Sequence, residues 1–492
     1  MELLKVDGRD IINESNEKIM LRGTCTGGWM NMENFINGYP GTEANLRELM
    51  QGTLGNEDGV NLGTYFFDEM VDVFLNEDDY RFIAESGANC VRLDMNYRHF
   101  EDDENPFVYK EAGFKLLDKA LDYCKKYNLY AILDMHAVQG WQNSHWHSDN
   151  VWGVSLLWRD KLYQDRFYAL WQAIARRYVD RNELAGYELM NEPCSNTKIG
   201  DFPYNCYENY KSDSARFNKV NRTAVEKIRE VDTRHMIFIE GDYYGHVFKG
   251  MEKPWDDNLV YSSHDYMVSG FGPGVYPGPF KQLRNDQIDL AGDWNYEKQL
   301  NHIKETEGYK FAVEHNVPLW VGEFGSQYNT GDEDMTYRLL SMDDQLKAYN
   351  ELGIHWTTWT YKDCGVMGWV TVSPESDYMK VIEPIQEMKR VLAAENFTGW
   401  RAESPGKDMV RQMTGLMEGL IQNPAINHET NMRCLSNSLL TGYAAGLLQP
   451  EYVSLFKDYN QADIRRVLNS FSFKACDVNE RYLEVLKKRI ME

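Results

Sequence analysis

The chain has 492 residues, of which 43% are hydrophobic, so it is long enough for one large domain or for two to three smaller ones. Lysine and arginine total 52 against 76 aspartates and glutamates, a formal net charge of −24. This acidic balance argues against nucleic acid and against an anionic membrane surface as partners.

The start of the chain predicts a β-hairpin. Residues 1–12 alternate apolar and polar around Asp7-Gly8, a turn sequence, and contain no uninterrupted apolar signal core. No later stretch approaches the run of about 20 apolar residues that a membrane span needs. We therefore expect a cytoplasmic protein without a membrane partner.

Neither a metal site nor a disulfide framework is predicted. The eight cysteines are scattered without a C-x-x-C pair. His145, His147 and Asp149 have a spacing that could hold a metal, but such groups on a loop are more often substrate contacts or solvated. We predict that the protein uses no metal and no cofactor.

Short apolar runs alternate with longer segments of helical period, which is the pattern of a parallel sheet built from βα units. The runs predicted as strands are Ile19–Cys25, Cys90–Asp94, Leu129–Asp134, Leu184–Met190, Met236–Glu240, Leu259–Ser263, Leu319–Gly322 and Ile354–Thr360. The predicted helices are Asp79–Ser86, Ala112–Tyr127, Arg159–Tyr178, Asp213–Val231, Trp294–Asn316, Asp343–Leu352 and Tyr378–Ala394. This order predicts an α/β protein, a (β/α)8 TIM barrel with long βα loops.

Two insertions interrupt the repeat, Asn34–Met70 after the first strand and His264–Asp293 after the sixth. Both follow strand C-termini, where barrel enzymes place their sites, so we expect them to form loops that wall a cleft.

The composition changes beyond Trp400 to amphipathic helical stretches at Lys407–Ile421, Asn431–Leu448, Tyr452–Asp458 and Asn479–Ile490. We predict a catalytic domain over residues 1–395 and a helical C-terminal extension over 396–492. Met409, Met413, Leu416 and Leu420 recur at spacings of three and four, so they are expected to pack on the outer helices of the barrel or on another subunit of an oligomer.

Two glutamates directly follow apolar runs, in Glu188-Leu-Met-Asn-Glu192-Pro193 and Leu319-Trp-Val-Gly-Glu323-Phe-Gly325. Cleavage of a glycosidic bond needs one carboxyl group that starts protonated and one that starts ionised, a few ångströms apart. Because the C-termini of barrel strands converge on one pocket, Glu192 and Glu323 are candidates for that pair.

Other strand ends deliver further polar or aromatic groups to the same face. These are Arg92, His136, Asn191, His264, Tyr266 and Trp359. Arg92 and Tyr266 are expected to hold Glu323 ionised, since a guanidinium favours a charged carboxylate. Asn191 can bind a sugar 2-hydroxyl, and Trp359 offers a flat apolar face for a sugar ring.

Two more carboxylates compete for a role in the cleft. Glu188 points the same way as Met190 by strand alternation, and we expect it to pair with a cation inside the barrel. Glu240 ends the fifth predicted strand and is either a supporting cleft residue or a member of the catalytic pair.

The strings Asn191-Glu192-Pro193, Gly322-Glu323-Phe324-Gly325, His264-Asp-Tyr266 and Trp359-Thr-Tyr-Lys-Asp363 resemble glycoside hydrolase family 5, the cellulase family, over roughly residues 19–365. The resemblance implies that Glu192 is the acid/base and Glu323 the nucleophile. It further implies that Arg92, His136, Asn191, His264, Tyr266 and Trp359 are cleft residues.

Two loops resemble exo-β-1,3-glucanase and β-glucosidase members of the family. The stretch from Gly27-Gly28-Trp29 to Glu33 implies that Glu33 binds sugar, and Gly140-Trp-Gln142-Asn143 implies the same for Asn143. Ser144–His147, unusually rich in histidine and tryptophan, departs from the family pattern.

We expect a retaining β-glycosidase that hydrolyses β-glucosides or short β-glucan oligosaccharides by a double displacement on two glutamates. An endo-β-glucanase or β-mannanase would need an open groove, whereas the long loops and Glu33 favour a closed pocket. A non-catalytic carbohydrate-binding barrel is the remote alternative, and the intact glutamate pair argues against it.

Overall fold

A computed structural model describes residues 1–196, 210–272, 274–284, 287–395, 397, 404–426 and 428–492. Its centre is a closed barrel of eight parallel strands. They are β1 (Arg22–Cys25), β2 (Cys90–Asn96), β3 (Tyr130–Ala137), β4 (Leu184–Glu188), β5 (Met236–Glu240), β6 (Leu259–His264), β7 (Leu319–Glu323) and β8 (His355–Thr358). β8 pairs in parallel with β1 and so completes the ring. The predicted (β/α)8 barrel is confirmed, and each strand coincides with a predicted run.

The N-terminal hairpin closes one end of the barrel. Lys5–Asp7 pairs with Asp10–Ile12 around the predicted turn. Leu4 and Ile11 are buried together with Trp320 and Phe238, which project from within the strands. The opposite end, at the strand C-termini, is therefore the end available for a site.

The helices around the barrel are Glu77–Glu85, Glu111–Tyr127, Lys161–Tyr178, Ser214–Arg229, Tyr296–Glu305, Glu307–His315, Asp332–Leu352 and Asp377–Leu392. Two predictions of helix length were wrong. The segment predicted as one helix from 294 to 316 divides at Thr306, whose Oγ1 accepts a hydrogen bond from Tyr309 N at 3.2 Å and caps the second helix. The helix that ends at Leu352 begins at Asp332 rather than at Asp343, because three acidic residues stabilise its first turn.

The insertion after β1 is not the loop that its glycines suggest. It contains the helices Glu43–Thr53 and Leu62–Phe74, each of which buries one face. Leu46 and Met50, four residues apart, are fully buried. The second insertion carries the antiparallel strands Gly278–Arg284 and Gln287–Trp294.

The C-terminal extension consists of the helices Pro405–Leu420, His428–Ser436, Ala445–Ser454, Gln461–Leu468 and Glu480–Ile490, with a π-helix over Asn437–Ala444. One short strand, Cys476–Val478, pairs with Val370–Val372. The hydrophobic core of the C-terminal extension is continuous with that of the barrel. The ring of Phe456 lies 5.1 Å from that of Phe66, and the ring of Tyr482 lies 4.7 Å from that of Tyr328. Residue 395 therefore does not separate two independent cores.

The first extension helix does not pack its predicted apolar face on the outer helices of the barrel, and packing of that face on another subunit stays a prediction. Met409, Met413, Leu416 and Leu420 are 55%, 46%, 66% and 76% exposed. The helix instead buries the face that carries Val410 and Thr414, since its neighbours cover that side. In the part of the chain that the structure describes, no helix combines the length and apolarity that a bilayer crossing requires.

Candidate active site

A cavity of about 340 Å³ opens at the C-terminal ends of the barrel strands. Seven of the ten predicted site residues line it, namely Glu33, His136, Asn191, Glu192, Tyr266, Glu323 and Trp359. Arg92 and His264 are buried and reach the two carboxylates through hydrogen bonds. The topology thus gathers nine of the ten residues around one small volume.

Glu323 is held at both of its oxygens. Arg92 donates from Nη1 to Oε1 at 2.8 Å, and the Tyr266 hydroxyl donates to Oε2 at 2.9 Å. Arg92 also binds Asp94 at 2.9 Å and Glu188 at 2.6 Å. Burial disfavours its charge, but the surrounding carboxylates outweigh burial and raise the pKa of Arg92 well above its usual value. Glu323 is therefore paired with a permanent cation.

Glu192 has imidazole neighbours instead of a cation. Its Oε1 lies 2.8 Å from His264 Nδ1, and its Oε2 lies 3.3 Å from His147 Nε2. Burial lowers the pKa of His264 to about 4 and that of His147 to about 3. Both rings are consequently neutral at neutral pH, and each can donate a proton to Glu192 or accept one from it in a hydrogen bond.

The backbone of Glu192 is also fixed. Its φ of 48° lies in the left-handed region, which non-glycine residues seldom adopt. Its N–H donates to Glu240 Oε2 and its C=O accepts from Asn143 Nδ2, both at 2.9 Å. These two contacts hold the strained turn that aims the side chain into the cavity.

The two carboxyl groups face each other across the cavity. One oxygen of Glu192, one oxygen of Glu323 and a ring nitrogen of His264 all lie within 4.8 Å of one another. Retaining glycosidases keep their carboxyl groups about 5 to 5.5 Å apart, whereas inverting enzymes need about 6.5 to 9.5 Å for an intervening water. The close approach of these two oxygens favours the retaining class.

A third carboxyl, Glu33, lies on the far side of His136. His136 Nε2 is 3.3 Å from Glu33 Oε1, and Nδ1 is 2.8 Å from Asp134 Oδ2. Burial opposes the charge of His136, but hydrogen bonds to acidic groups prevail and raise its pKa well above the usual value. Burial raises the pKa of Glu33 to about 7, with His136 acting in the opposite direction. Its charge therefore changes near neutral pH.

The indole of Trp359 stacks on His136, with ring centroids 5.2 Å apart and planes at 10°. Gly27 makes room for it, because a Cβ at that position would lie 2.5 Å from Trp359 Cη2. One face of the indole is thus covered by a charged imidazole.

Asn143 does not lie where the sequence suggests. It is fully buried, and its amide joins two backbone groups, the carbonyl of Glu192 and the N–H of His145. It positions Glu192 and does not line the cavity. Glu240 also supports Glu192 from behind, while Glu188 pairs with Arg92 inside the barrel, as expected from strand alternation.

The segment Ser144–His147 after β3 is unusually rich in histidine and tryptophan, but the sequence did not predict where these side chains lie. Trp146 and His147 line the cavity beside Glu192. Asp149 does not join the histidines, since its carboxylate binds Arg98 at 3.1 Å and Ala44 N at 2.8 Å. The predicted spacing therefore does not form a three-ligand site.

The extension supplies two further lining residues, Phe397 and Arg433. The Phe397 ring lies 4.6 Å from that of Phe35, and Arg433 Nη2 donates to the Tyr243 hydroxyl at 3.3 Å. Sequence reasoning missed both, because nothing in the local pattern ties a residue beyond 395 to the strand ends.

Comparisons with known proteins agree with this geometry. Residues 53–365, more than half of the chain, match the family model of cellulase, glycosyl hydrolase family 5. A β-xylosidase of Phanerodontia chrysosporium is 32% identical over 97% of this chain and 96% of its own length. Endoglucanase C of Acetivibrio thermocellus is 28% identical over 62% of this chain and 90% of its own length.

A solved structure of Thermotoga maritima Cel5A in complex with mannotriose covers 71% of this chain and 92% of its own, with 19% identity and a TM-score of 0.47. The family assignment rests on the sequence matches. The chain belongs to glycosyl hydrolase family 5 and is a glycoside hydrolase.

Proposed function

We propose that the protein is an exo-acting retaining β-glycosidase, with Glu323 as nucleophile and Glu192 as acid/base. The observation that carries this proposal is the facing carboxyl pair, with oxygens within 4.8 Å, in which one member has a cation and the other has neutral imidazoles. Environments that differ in this way give two carboxyl groups opposite roles.

In the first step a Glu323 oxygen attacks the anomeric carbon and the glycosidic C–O bond breaks. Glu192 gives its proton to the departing oxygen, so a neutral alcohol leaves and a glycosyl ester on Glu323 remains. In the second step Glu192 takes a proton from water, the hydroxide attacks the anomeric carbon, and Glu323 leaves as a carboxylate. Two inversions retain the β configuration.

The protein groups around Glu323 suit this cycle. Arg92 and Tyr266 stabilise the carboxylate that departs in the second step. Asn191 Oδ1 accepts from Arg92 at 2.8 Å and its Nδ2 lies 3.2 Å from His136 Nε2, so the amide is held in the cavity lining, where a sugar 2-hydroxyl can bind it.

Exo action is supported by an aromatic wall on one side of the cavity. Phe35 packs against Trp146 at 6.4 Å and against Phe397 at 4.6 Å, so three separate segments form one aromatic wall. Glu33 lies just before this wall and is 3% exposed. A terminal sugar placed there would have its hydroxyls bound by Glu33, and Phe35 and Phe397 would limit how far a chain extends beyond that sugar.

β-Glucosides are the first candidate substrates, because the Glu33 loop resembles that of exo-β-1,3-glucanases. β-Xylosides are the second candidates. They are favoured by the β-xylosidase relative, which matches 97% of this chain and therefore includes the extension that contributes to the cavity. Aryl β-glucoside, β-xyloside and β-mannoside should be compared by kcat/KM, and the anomer first released should be read by NMR. Release of an α anomer would contradict the retaining mechanism.

Glu33 gives the sharpest test of exo action. Truncation in Glu33→Ala leaves sugar donors unpaired, at about 1 to 3 kcal/mol each, so kcat/KM on short β-glucosides should fall about ten- to hundredfold. Glu297→Ala, an exposed carboxylate on an outer helix, is the matched control. Unchanged kinetics in Glu33→Ala, together with a rapid fall in the viscosity of a β-glucan, would favour an endoglucanase instead.

A further inference from the structure

A second cavity of about 450 Å³ lies beside the active site. One wall is the segment Ser144–Gly153, which follows β3, and the other is the π-helix Asn437–Ala444 of the extension. His145 and Trp146 line both this cavity and the catalytic one, so the two are neighbours that share a wall. We call the second cavity the side groove.

Two large aromatic side chains of the side groove are exposed to solvent. Trp152 is 74% exposed on one wall, and Tyr443 is 65% exposed on the other. Their flat aromatic faces suit the apolar faces of sugar rings.

The wall that carries Trp152 is held in place before any ligand binds. Asn150 Oδ1 accepts from the N–H groups of Trp152 and Gly153 at 3.0 and 2.8 Å, and its Nδ2 donates to Asn143 O at 2.7 Å. Asn143 in turn binds the carbonyl of Glu192. The turn that presents Trp152 and the turn that presents Glu192 are therefore connected through one asparagine pair.

The opposite wall, formed by the extension, makes hydrogen bonds to two barrel loops. Asn437 Nδ2 lies 3.4 Å from His145 Nε2, and Gln449 Nε2 donates to the carbonyls of Pro40 and Thr42 at 2.9 and 2.8 Å. The side groove is thus bounded by the extension on one side and by barrel loops on the other. Its volume lies within the range of about 300 to 1,000 Å³ that small-ligand pockets occupy.

We propose that the side groove binds the sugar units of the leaving group when the substrate is a β-linked oligosaccharide. This rests on the proposed exo action, which places one terminal sugar in the catalytic cavity and assigns every other unit to the leaving group. His145 lines both cavities and is two residues from His147, whose Nε2 lies 3.3 Å from Glu192 Oε2, so the groove adjoins the Glu192 side of the catalytic cavity. The leaving group departs on the side of the acid/base, so its chain is directed there.

Binding is tested in the inactive Glu323→Gln background, which keeps oligosaccharides intact. Trp152→Ala and Tyr443→Ala should each weaken the Kd for a β-linked trisaccharide about three- to tenfold, the range expected for loss of one stacked ring. Leu447→Ala, 58% exposed on the same stretch of the extension but outside the groove lining, is the control and should not change the Kd. All three side chains are exposed, so folding is not at risk.

Hydrolysis in the otherwise unaltered enzyme gives the second readout. In Trp152→Ala and Tyr443→Ala, kcat/KM should fall for the trisaccharide and remain at the parental value for an aryl monoglycoside. An unchanged trisaccharide Kd, or an equal loss on the aryl substrate, would overturn the proposal. If the parent cleaves no β-glycoside, the proposed function fails, while the titration still reports whether the groove binds sugar.

Discussion

The two glutamates that follow β4 and end β7 are the same residue type in one small cavity, yet apart from His264, whose Nδ1 lies 2.8 Å from Glu192 and 3.6 Å from Glu323, their closest polar partners differ. Glu323 is bound by the guanidinium of Arg92 and the hydroxyl of Tyr266. Glu192 lies between His264 and His147, whose pKa values burial lowers to about 4 and about 3. A permanent cation favours one charge state, whereas neutral imidazoles can follow a proton in either direction. This difference supports the roles proposed for the two glutamates.

The backbones of the two residues differ as well. Glu323 ends β7 and is still paired with His264 of β6 in the barrel sheet. Glu192 lies four residues beyond the end of β4, at a φ of 48°, and is held by Asn143 and Glu240. Glu323 is therefore positioned by the sheet, and Glu192 by side chains from neighbouring loops and strands.

Glu323→Gln and Glu192→Gln test the difference with the largest expected effect. Loss of the nucleophile should nearly abolish turnover of every substrate, because the glycosyl ester cannot form. Loss of the acid/base should lower kcat about 10²- to 10⁴-fold on natural oligosaccharides. A good aryl leaving group needs no proton, so only Glu192→Gln should regain its first step, seen as a burst of released phenol.

Glu297→Gln, on an exposed surface of an outer helix, is the matched control and should turn over like the parent. Circular dichroism of all three variants should be that of the parent. Near-parental turnover in Glu323→Gln, or an aryl burst in Glu323→Gln instead of Glu192→Gln, would reverse or remove the assignment of roles.

Much of this arrangement was predictable from the sequence, because barrel strands are short apolar runs and their C-termini converge. That logic places Arg92, Glu323 and Tyr266 in one site without knowledge of any long-range contact. It fails where contacts come from distant segments: Phe397 packs on Phe35 across more than 300 residues, and no local period reports it. It also fails for Asn143, since a polar residue near a cleft can serve the backbone as well as a ligand.

Some helices were predicted from the sequence and others were missed. Regular amphipathic runs such as Glu111–Tyr127 were found nearly to the residue, since their apolar spacing is unambiguous. The helices Glu43–Thr53 and Leu62–Phe74 were not, because scattered glycines obscure their buried faces. Met409 and Leu416 follow an apolar spacing as well, yet the structure leaves them exposed, so spacing alone does not decide which face is buried.

Substitution of one hydrogen-bonding neighbour of each glutamate should have a smaller effect than loss of the glutamate itself. Tyr266→Phe removes a 2.9 Å hydrogen bond to the Glu323 carboxylate. Bonds to charged groups contribute about 1.5 to 3 kcal/mol, so kcat should fall about ten- to hundredfold. His147→Gln loosens a longer contact of 3.3 Å with Glu192 and should lower kcat only a few-fold.

Steady-state kinetics on one disaccharide measures both variants, with Tyr337→Phe, a tyrosine on the outer helix Asp332–Leu352, as the control for the loss of a hydroxyl. A larger loss in His147→Gln than in Tyr266→Phe would show that the loop side, rather than the barrel side, limits the reaction.

The smallest expected effect concerns Glu33, the carboxyl that lies near both catalytic residues. Its pKa is raised to about 7 from an ordinary value of 4.5, first by burial and further by Glu323 and Glu192. The folded protein therefore binds this proton more tightly than the unfolded chain does. The resulting stability is fully present below pH 4.5 and is lost as the pH rises through about 7.

The Glu33→Gln variant has no ionisable group at position 33, so it should not lose this stability as the pH rises. The difference in melting temperature between Glu33→Gln and the parent should therefore grow in favour of the variant from pH 4.5 to pH 8. The ceiling is about 3 kcal/mol, since one pKa unit corresponds to about 1.4 kcal/mol, and the shift in Tm should be a few degrees. Parallel pH profiles for the two proteins would show that the pKa of Glu33 is the same in the folded and unfolded states, which would make Glu33 a third negative charge beside Glu323 and Glu192 at neutral pH.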